Sequence, residues 1–122
     1  MKDDATGGDA LTELRLALRR FADERDWAPY HTPKNLAMAL SGEAGELIEH
    51  FQWLSAEQSV TLDEATREAV ALEMADVLLY LIRLSDVLGV DLADAARRKM
   101  QINAGRYPVD KARGRADKYD RL

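Results

Sequence analysis

The chain has 122 residues, of which 47% are hydrophobic and 32% charged, and its formal net charge is −5. That length implies one domain, and the absence of cysteine excludes disulfides, zinc–thiolate sites and thiol chemistry, in keeping with a reducing cytoplasm as the expected location. No apolar run approaches the ~20 residues needed to span a bilayer; residues 1–96 hold 8 Lys/Arg against 19 Asp/Glu, an acidic body that argues against nucleic-acid binding, whereas residues 97–122 hold 9 against 3.

The opening MKDDATGGDA lacks the basic-then-apolar order of a signal peptide, and residues 1–8 read as a disordered leader. Helical periodicity begins with Asp9 as N-cap and runs to about Arg25, with Leu11, Leu14, Leu16, Leu18 and Phe21 on the apolar face. A linker, Asp26 to Thr32, follows. Thr32 as cap and Pro33 at the first helical position start a second helix, expected to reach about Trp53 and to turn Leu36, Ala39, Leu40, Leu47, Ile48 and Phe51 to the core. A polar connection from Ser55 to Leu62 separates it from the longest helix, about Asp63 to Leu88, which Gly89 closes. Val70, Leu72, Met74, Val77, Leu78, Leu81, Ile82, Leu84 and Leu88 make that helix apolar on most sides, as expected of a central or interface helix. The fourth helix opens at Asp91 and ends by Arg106, before Pro108. The expectation is an all-α domain, a four-helix-bundle-like fold over residues 9–108, with a basic irregular tail over residues 109–122.

Two acidic pairs, Glu43/Glu46 and Glu73/Asp76, stand i,i+3 inside apolar helical stretches, so each pair shares a helix face. Carboxylates among apolar neighbours are costly unless paired or holding a cation, and two such pairs brought together form an oxygen-only site suited to Mg²⁺, Mn²⁺ or Ca²⁺. The alternative is a solvated acidic face. Gly42 and Gly45, which flank Glu43, cost a helix ~1 kcal/mol each relative to alanine; close packing of the third helix or of a ligand is the expected compensation. Neither His31 nor His50 lies three residues after a glutamate, so the Glu-x-x-His pairs of a di-iron bundle are missing.

Lys99, Asn103 and Arg106 fall at i, i+4 and i+7, one stripe of phosphate-binding chemistry, with Tyr107 directly after; a solvated basic helix end is the alternative. Trp27 and Trp53 border helix ends and offer faces on which a base could stack, or serve as core. His31, just before the second helix, is either a hydrogen-bonding group of the site or a plain loop histidine, and Tyr80, one turn after Asp76, is either in reach of a metal ligand or phosphate or a packing residue. No Ser/His/Asp arrangement or phosphate-cradling glycine loop is present, so hydrolysis would have to be metal-assisted.

In order along the chain stand Glu24-Arg25-Asp26-Trp27, His31-x-Pro33-x-Asn35-Leu36, Gly42-Glu43-x-Gly45-Glu46-Leu47 and Phe51-Gln52-Trp53. After them come Glu73-x-x-Asp76-Val77-Leu78-x-Tyr80-Leu81, Lys99-Met100-x-Ile102-Asn103, Arg106-Tyr107-Pro108 and Lys118-Tyr119. This ordered set resembles the all-α nucleoside triphosphate pyrophosphatases, the MazG-like superfamily, and within it the dCTP pyrophosphatase branch. The resemblance implies cleavage of a nucleoside triphosphate, dCTP or a modified dCTP first among them, to monophosphate and pyrophosphate, a nucleotide-pool sanitation reaction. It implies Mg²⁺ (Mn²⁺ as possible substitute) on Glu43, Glu46, Glu73 and Asp76, with Glu46 the candidate general base. Lys99, Asn103, Arg106 and Tyr107 would hold the phosphates, Trp27 and Trp53 would flank the base with His31 nearby, and Tyr80 would complete the substrate site. It also implies a homo-oligomer, tetramer before dimer. One departure is Leu18, which stands where some dCTP-directed relatives carry a histidine facing the base; it bears on cytosine preference and not on the reaction. The alternatives are a pyrophosphatase for another non-standard nucleotide and a non-catalytic metal-binding helical interaction module.

Overall fold

The computed structural model describes residues 9–122, and among them every regular element is a helix, with no strand. The expected leader, residues 1–8, lies outside the described residues. The chain packs as two compact units, one ending at Gly89 and one comprising Val90–Leu122. No helix among the described residues is long and apolar enough to cross a membrane.

Helix α1 (Ala10–Glu24) starts where Asp9 accepts a 2.8 Å hydrogen bond from the Thr12 amide, which satisfies one of the donors a helix start leaves unpaired. It ends in a turn at Asp26, whose φ of 53° lies in the left-handed region that Asp tolerates better than most residues. A 3₁₀ turn, Ala28–Tyr30, occupies part of what the sequence reads as a linker. Helix α2 (Pro33–Glu49) is capped by Thr32 as expected, with Pro33 at its first position. It stops short of Trp53. The Phe51 and Gln52 amides both donate to the Ile48 carbonyl, tightening the last turn. Ser55 then starts a separate short helix, α3 (Ala56–Ser59), through a reciprocal capping box with Gln58. Helix α4 (Glu64–Leu88) is capped by Asp63 and closed by Gly89 at φ 70°, a conformation that costs glycine nothing.

Both α1 and α2 pack on α4. His31, just before α2, meets Arg83 near the end of α4, while Glu43 in mid-α2 meets Asp76 in mid-α4, so α2 runs antiparallel to α4. Ala22 of α1, Leu36 of α2 and Val70 and Ile82 of α4 are the buried apolar residues among those described. That core is small for three helices. Met38 (63% exposed) and Ile48 (59%) on α2, with Leu72 (61%) and Met74 (57%) on α4, leave large apolar side chains at the surface. The expected packing of the third helix against Gly42 and Gly45 is not found among the described residues: a Cβ at either position meets nothing within 4 Å.

In the second unit, Asp91 caps α5 (Leu92–Arg106) by accepting from the Asp94 amide at 3.0 Å. The tail beyond it is ordered in two short turns, with residues 113–118 irregular between them. Pro108, already extended at φ −62°, ψ 143°, leads into a one-turn helix α6 (Val109–Ala112), and a 3₁₀ turn spans Tyr119–Arg121. Tyr119 is held by Arg106, whose guanidinium lies 4.6 Å from the ring centroid, and by an edge-to-face contact with Tyr107 at 6.1 Å.

Candidate functional site

Three of the four carboxylates singled out in the sequence converge. One ligand atom each from Glu43 on α2 and Glu73 and Asp76 on α4 lies within 4.8 Å of the others. The i,i+3 spacing puts Glu73 and Asp76 on one face of α4, and packing of α2 brings Glu43 to it. No Lys or Arg side chain forms an ion pair with these three among the described residues. The consequence is electrostatic. Desolvation, together with the carboxyls of Asp76 and Glu46, pushes Glu43 up to about 7. Desolvation and the charges of Glu46 and Asp76 also raise Glu73, against a lowering contribution from His50. Glu46 therefore stands beside the triad, acting on both Glu43 and Glu73.

The Oε2 atom of Glu73 is buried and has no hydrogen-bond partner among the described residues. An ionised oxygen left so is costly unless a cation takes it. The donor set is oxygen alone, clustered, mutually repelling and part-buried, and so it fits a hard divalent cation.

Beside this cluster opens a pocket of about 180 Å³. Leu18, Phe21, Trp27, His31, Asp76, Leu79, Tyr80 and Arg83 line it, so Asp76 belongs to both the acidic triad and the pocket wall. Trp27 makes edge-to-face contacts with Phe21 (5.6 Å) and His31 (5.8 Å), which fix the aromatic end of the pocket. His31 is held at Nδ1 by Arg83 Nε at 3.0 Å, and burial followed by the Arg83 charge lowers its pKa. The structure thus gathers Trp27, His31, Tyr80 and Asp76 around one cavity. It does not bring Trp53 there: that side chain is 88% exposed beyond the end of α2. Lys99, Asn103 and Arg106 are exposed on α5, and Tyr107 caps it by donating its amide to the Asn103 carbonyl at 2.8 Å.

Residues 38–122 match the MazG-like family. The chain belongs to the MazG-like family. Similar to this MazG-like chain is dCTP pyrophosphatase 1 of Bos taurus, 45% identical over 114 residues, which cover 92% of this chain and 68% of that protein. The Homo sapiens dCTP pyrophosphatase 1 is 44% identical over 114 residues, with 92% and 67% covered. Among solved structures, a pyrophosphatase from Archaeoglobus fulgidus superposes with a TM-score of 0.78 at 43% identity, covering 83% of this chain and 94% of that one. The family match begins inside α2, so α1, which supplies Leu18 and Phe21 to the pocket, lies upstream of it.

Sequence reasoning missed Arg83, Asp86, Arg15 and Arg19, which form one ionic network behind His31. One signal was available. Arg83 is the lone charge in the run Val77–Leu84, and a cation in so apolar a stretch of helix implies a buried partner.

Proposed function

We propose that this MazG-like protein is a Mg²⁺-dependent nucleoside triphosphate pyrophosphatase that hydrolyses dCTP, or a modified dCTP, to the monophosphate and pyrophosphate. The observation that carries the reading is the shared residue: Asp76 belongs at once to a carboxylate triad with no Lys or Arg ion pair among the described residues and to an aromatic-walled pocket. A nucleotide presents the same pairing, a flat ring next to a polyanion that arrives with its metal. At about 180 Å³ the pocket is smaller than the ~300–1,000 Å³ of drug-sized ligand sites, so it suits a single ring and not a whole nucleotide.

Glu43, Glu73 and Asp76, with Glu46 beside them, are the residues that would hold Mg²⁺, Mn²⁺ being a possible substitute. When bound, the ion neutralises phosphate charge and makes water a better nucleophile. The rest falls to the chain's own groups. Trp27, Phe21 and Leu18 exclude water from the base, and His31 and Tyr80 supply polar contacts at its edge. Glu46, outside the tight triad, is the candidate to accept the proton of the attacking water as the bond between the α and β phosphates breaks. Lys99, Asn103, Arg106 and Tyr107 are proposed phosphate ligands on their chemistry, and Trp53 a second stacking face. The exposed Met38, Ile48, Leu72 and Met74 support a homo-oligomer, proposed as a tetramer in the cytoplasm, that covers them.

A second reading has one observation behind it. Leu18 lines the pocket, which gives that wall no hydrogen-bonding group and favours a pyrophosphatase less strict for cytosine. The deciding experiment measures pyrophosphate release from a panel of deoxy- and ribonucleoside triphosphates, with Mg²⁺ and with chelator. Mg²⁺-dependent release fastest with dCTP or its 5-modified forms is the expected result. Release fastest with another nucleotide moves the assignment to the second reading. No release from any of them by folded protein leaves a metal-binding helical module.

A further inference from the structure

We propose that Arg83 is a positioning residue which fixes the tautomer of His31, making its Nε2–H a hydrogen-bond donor to the ring pocket, so that the site reads an acceptor on the base edge. The inference rests on the nucleotide reading above and goes beyond it, because it names the chemistry by which the ring is read.

The guanidinium of Arg83 has only donors. Its Nε lies 3.0 Å from His31 Nδ1, so Nδ1 must present a lone pair there. A neutral imidazole carries one N–H, and with Nδ1 accepting, the proton resides on Nε2. Turning the ring over does not escape this. It would set a C–H against the Arg83 N–H and leave a buried donor unpaired, in a side chain only 9% exposed. Arg83 cannot readily swing away, because it is anchored from behind. Asp86 Oδ2 accepts from it at 3.3 Å, and Asp86 is itself gripped by Arg19 at 2.6 and 3.0 Å and by Arg15 at 3.4 Å. Three guanidiniums around one carboxylate leave net positive charge next to the imidazole, which disfavours a second proton on it.

The outward consequence follows from the rest of the wall. Leu18, Phe21, Trp27 and Leu79 offer no acceptor, and Asp76 is committed to the acidic triad. The neutral groups left to address a ring are the His31 Nε2–H, the Trp27 indole N–H and the Tyr80 hydroxyl. A ring carbonyl or a pyridine-type ring nitrogen matches the His31 donor, whereas an exocyclic amine placed there sets donor against donor.

The test is ¹⁵N imidazole NMR on the full chain, at a pH where the ring is neutral, with His31→Gln used to assign the resonances. It is joined to dCTP kinetics for Arg83→Lys and Arg83→Met. The wild type is expected to show His31 as the Nε2–H tautomer alone. Arg83→Lys keeps the charge beside Asp86 but loses the fork that bridges two acceptors, so it remains a fair test even if Arg83→Met fails to fold. In Arg83→Lys, His31 is expected to exchange between tautomers. Its KM for dCTP should rise roughly tenfold, more than kcat falls, as a lost hydrogen bond of ground-state binding requires. A wild-type His31 of mixed tautomer overturns the proposal, and so does an Arg83→Lys variant with the wild-type tautomer and KM. Failure of the enzymatic reading is a separate result: the wild type then releases no pyrophosphate while the tautomer measurement still stands.

Discussion

Glu73 and Asp76 stand three apart on α4, and so do Arg83 and Asp86 further along the same helix, yet the two pairs lie in opposite electrostatic settings. The first pair faces Glu43 and Glu46 with no Lys or Arg ion pair among the described residues, and desolvation followed by the neighbouring carboxylates raises both Glu43 and Glu73. At the second, hydrogen bonds from Arg19 first, then the charges of Arg19 and Arg15, hold Asp86 below the ordinary carboxylate value of 3.8. One pair is frustrated and the other satisfied. Like charges held together among apolar neighbours point to a group that completes them, and a carboxylate gripped by several guanidiniums points to a role in the fold. The acidic cluster should therefore govern activity and metal binding with little bearing on stability, and the arginine network the reverse.

The sharpest way to break that division is to neutralise one member of each pair. Asp76→Asn and Glu46→Gln should lower pyrophosphate release at least about a hundredfold, the scale on which metal-assisted charge stabilisation works. Urea unfolding of either variant in chelator should show no loss of stability, because each removes a repulsive charge. Mg²⁺ should raise the melting temperature of the wild type, since a ligand at a hundred times its Kd adds about 2.7 kcal/mol, and it should do less for Asp76→Asn. Full turnover in both variants would sink the site. A stability loss matching that of the arginine network would mean that the acidic cluster is structural after all.

Neutralising Asp86 should do the opposite. Asp86→Asn strips the counter-ion from a buried Arg83 and should cost about 3 kcal/mol in urea unfolding, as broken buried pairs do. The effect on turnover should be smaller than that of Asp76→Asn and should appear in KM through His31. Acid dependence gives a second handle. A depressed folded pKa means that the group's stabilisation is whole above its unfolded value and is lost as pH falls through the folded one. Asp86 accordingly destabilises the protein only below its ordinary value of 3.8, whereas the lowered His31 begins to do so below 6.5. Glu43 and Glu73, raised in the fold, oppose the His31 stage by gaining protons as pH falls through the same range. Urea midpoints should fall clearly once the pH is below 3.8, and Asp86→Asn should lack that fall. An unchanged acid limb in that variant would show that Asp86 is not the group held ionised by the fold.

The legibility of the two pairs in the sequence differs for the same physical reason. Glu73 and Asp76 announce themselves because carboxylates repeated at helical spacing among alanine and leucine have no local partner, and a matching pair waits on α2. The caps Asp9, Thr32 and Asp91 are legible because capping is local: each side chain accepts from an amide three residues on. The Asp86 network was not readable, since its partners lie 67 and 71 residues away on α1 and nothing local specifies the register of α1 on α4. The early end of α2 went unread because the competing start at Ser55 depends on a reciprocal bond with Gln58. The order in the tail was missed because it comes from Arg106 and Tyr107 packing on Tyr119. Gly42 and Gly45 are a different case: close packing of the third helix or of a ligand is the expected compensation, and among the described residues a Cβ at either position meets nothing within 4 Å.

The two tryptophans repeat the comparison on a smaller scale. Trp27 has rings on two sides and a place in the pocket wall, whereas Trp53 projects into solvent past the end of α2. Truncating Trp27 should therefore cost stability and substrate affinity together. Trp53→Ala should leave unfolding within ~0.5 kcal/mol of the wild type, the range of surface substitutions that touch nothing. Its effect, if the base stacks there, is confined to binding: base–aromatic stacking contributes ~1–3 kcal/mol per base, so KM for dCTP should rise about tenfold with the Mg²⁺ requirement unchanged. Unchanged KM with a weakened oligomer in Trp53→Ala would assign it to the subunit contact and leave Trp27 as the stacking face of the pocket.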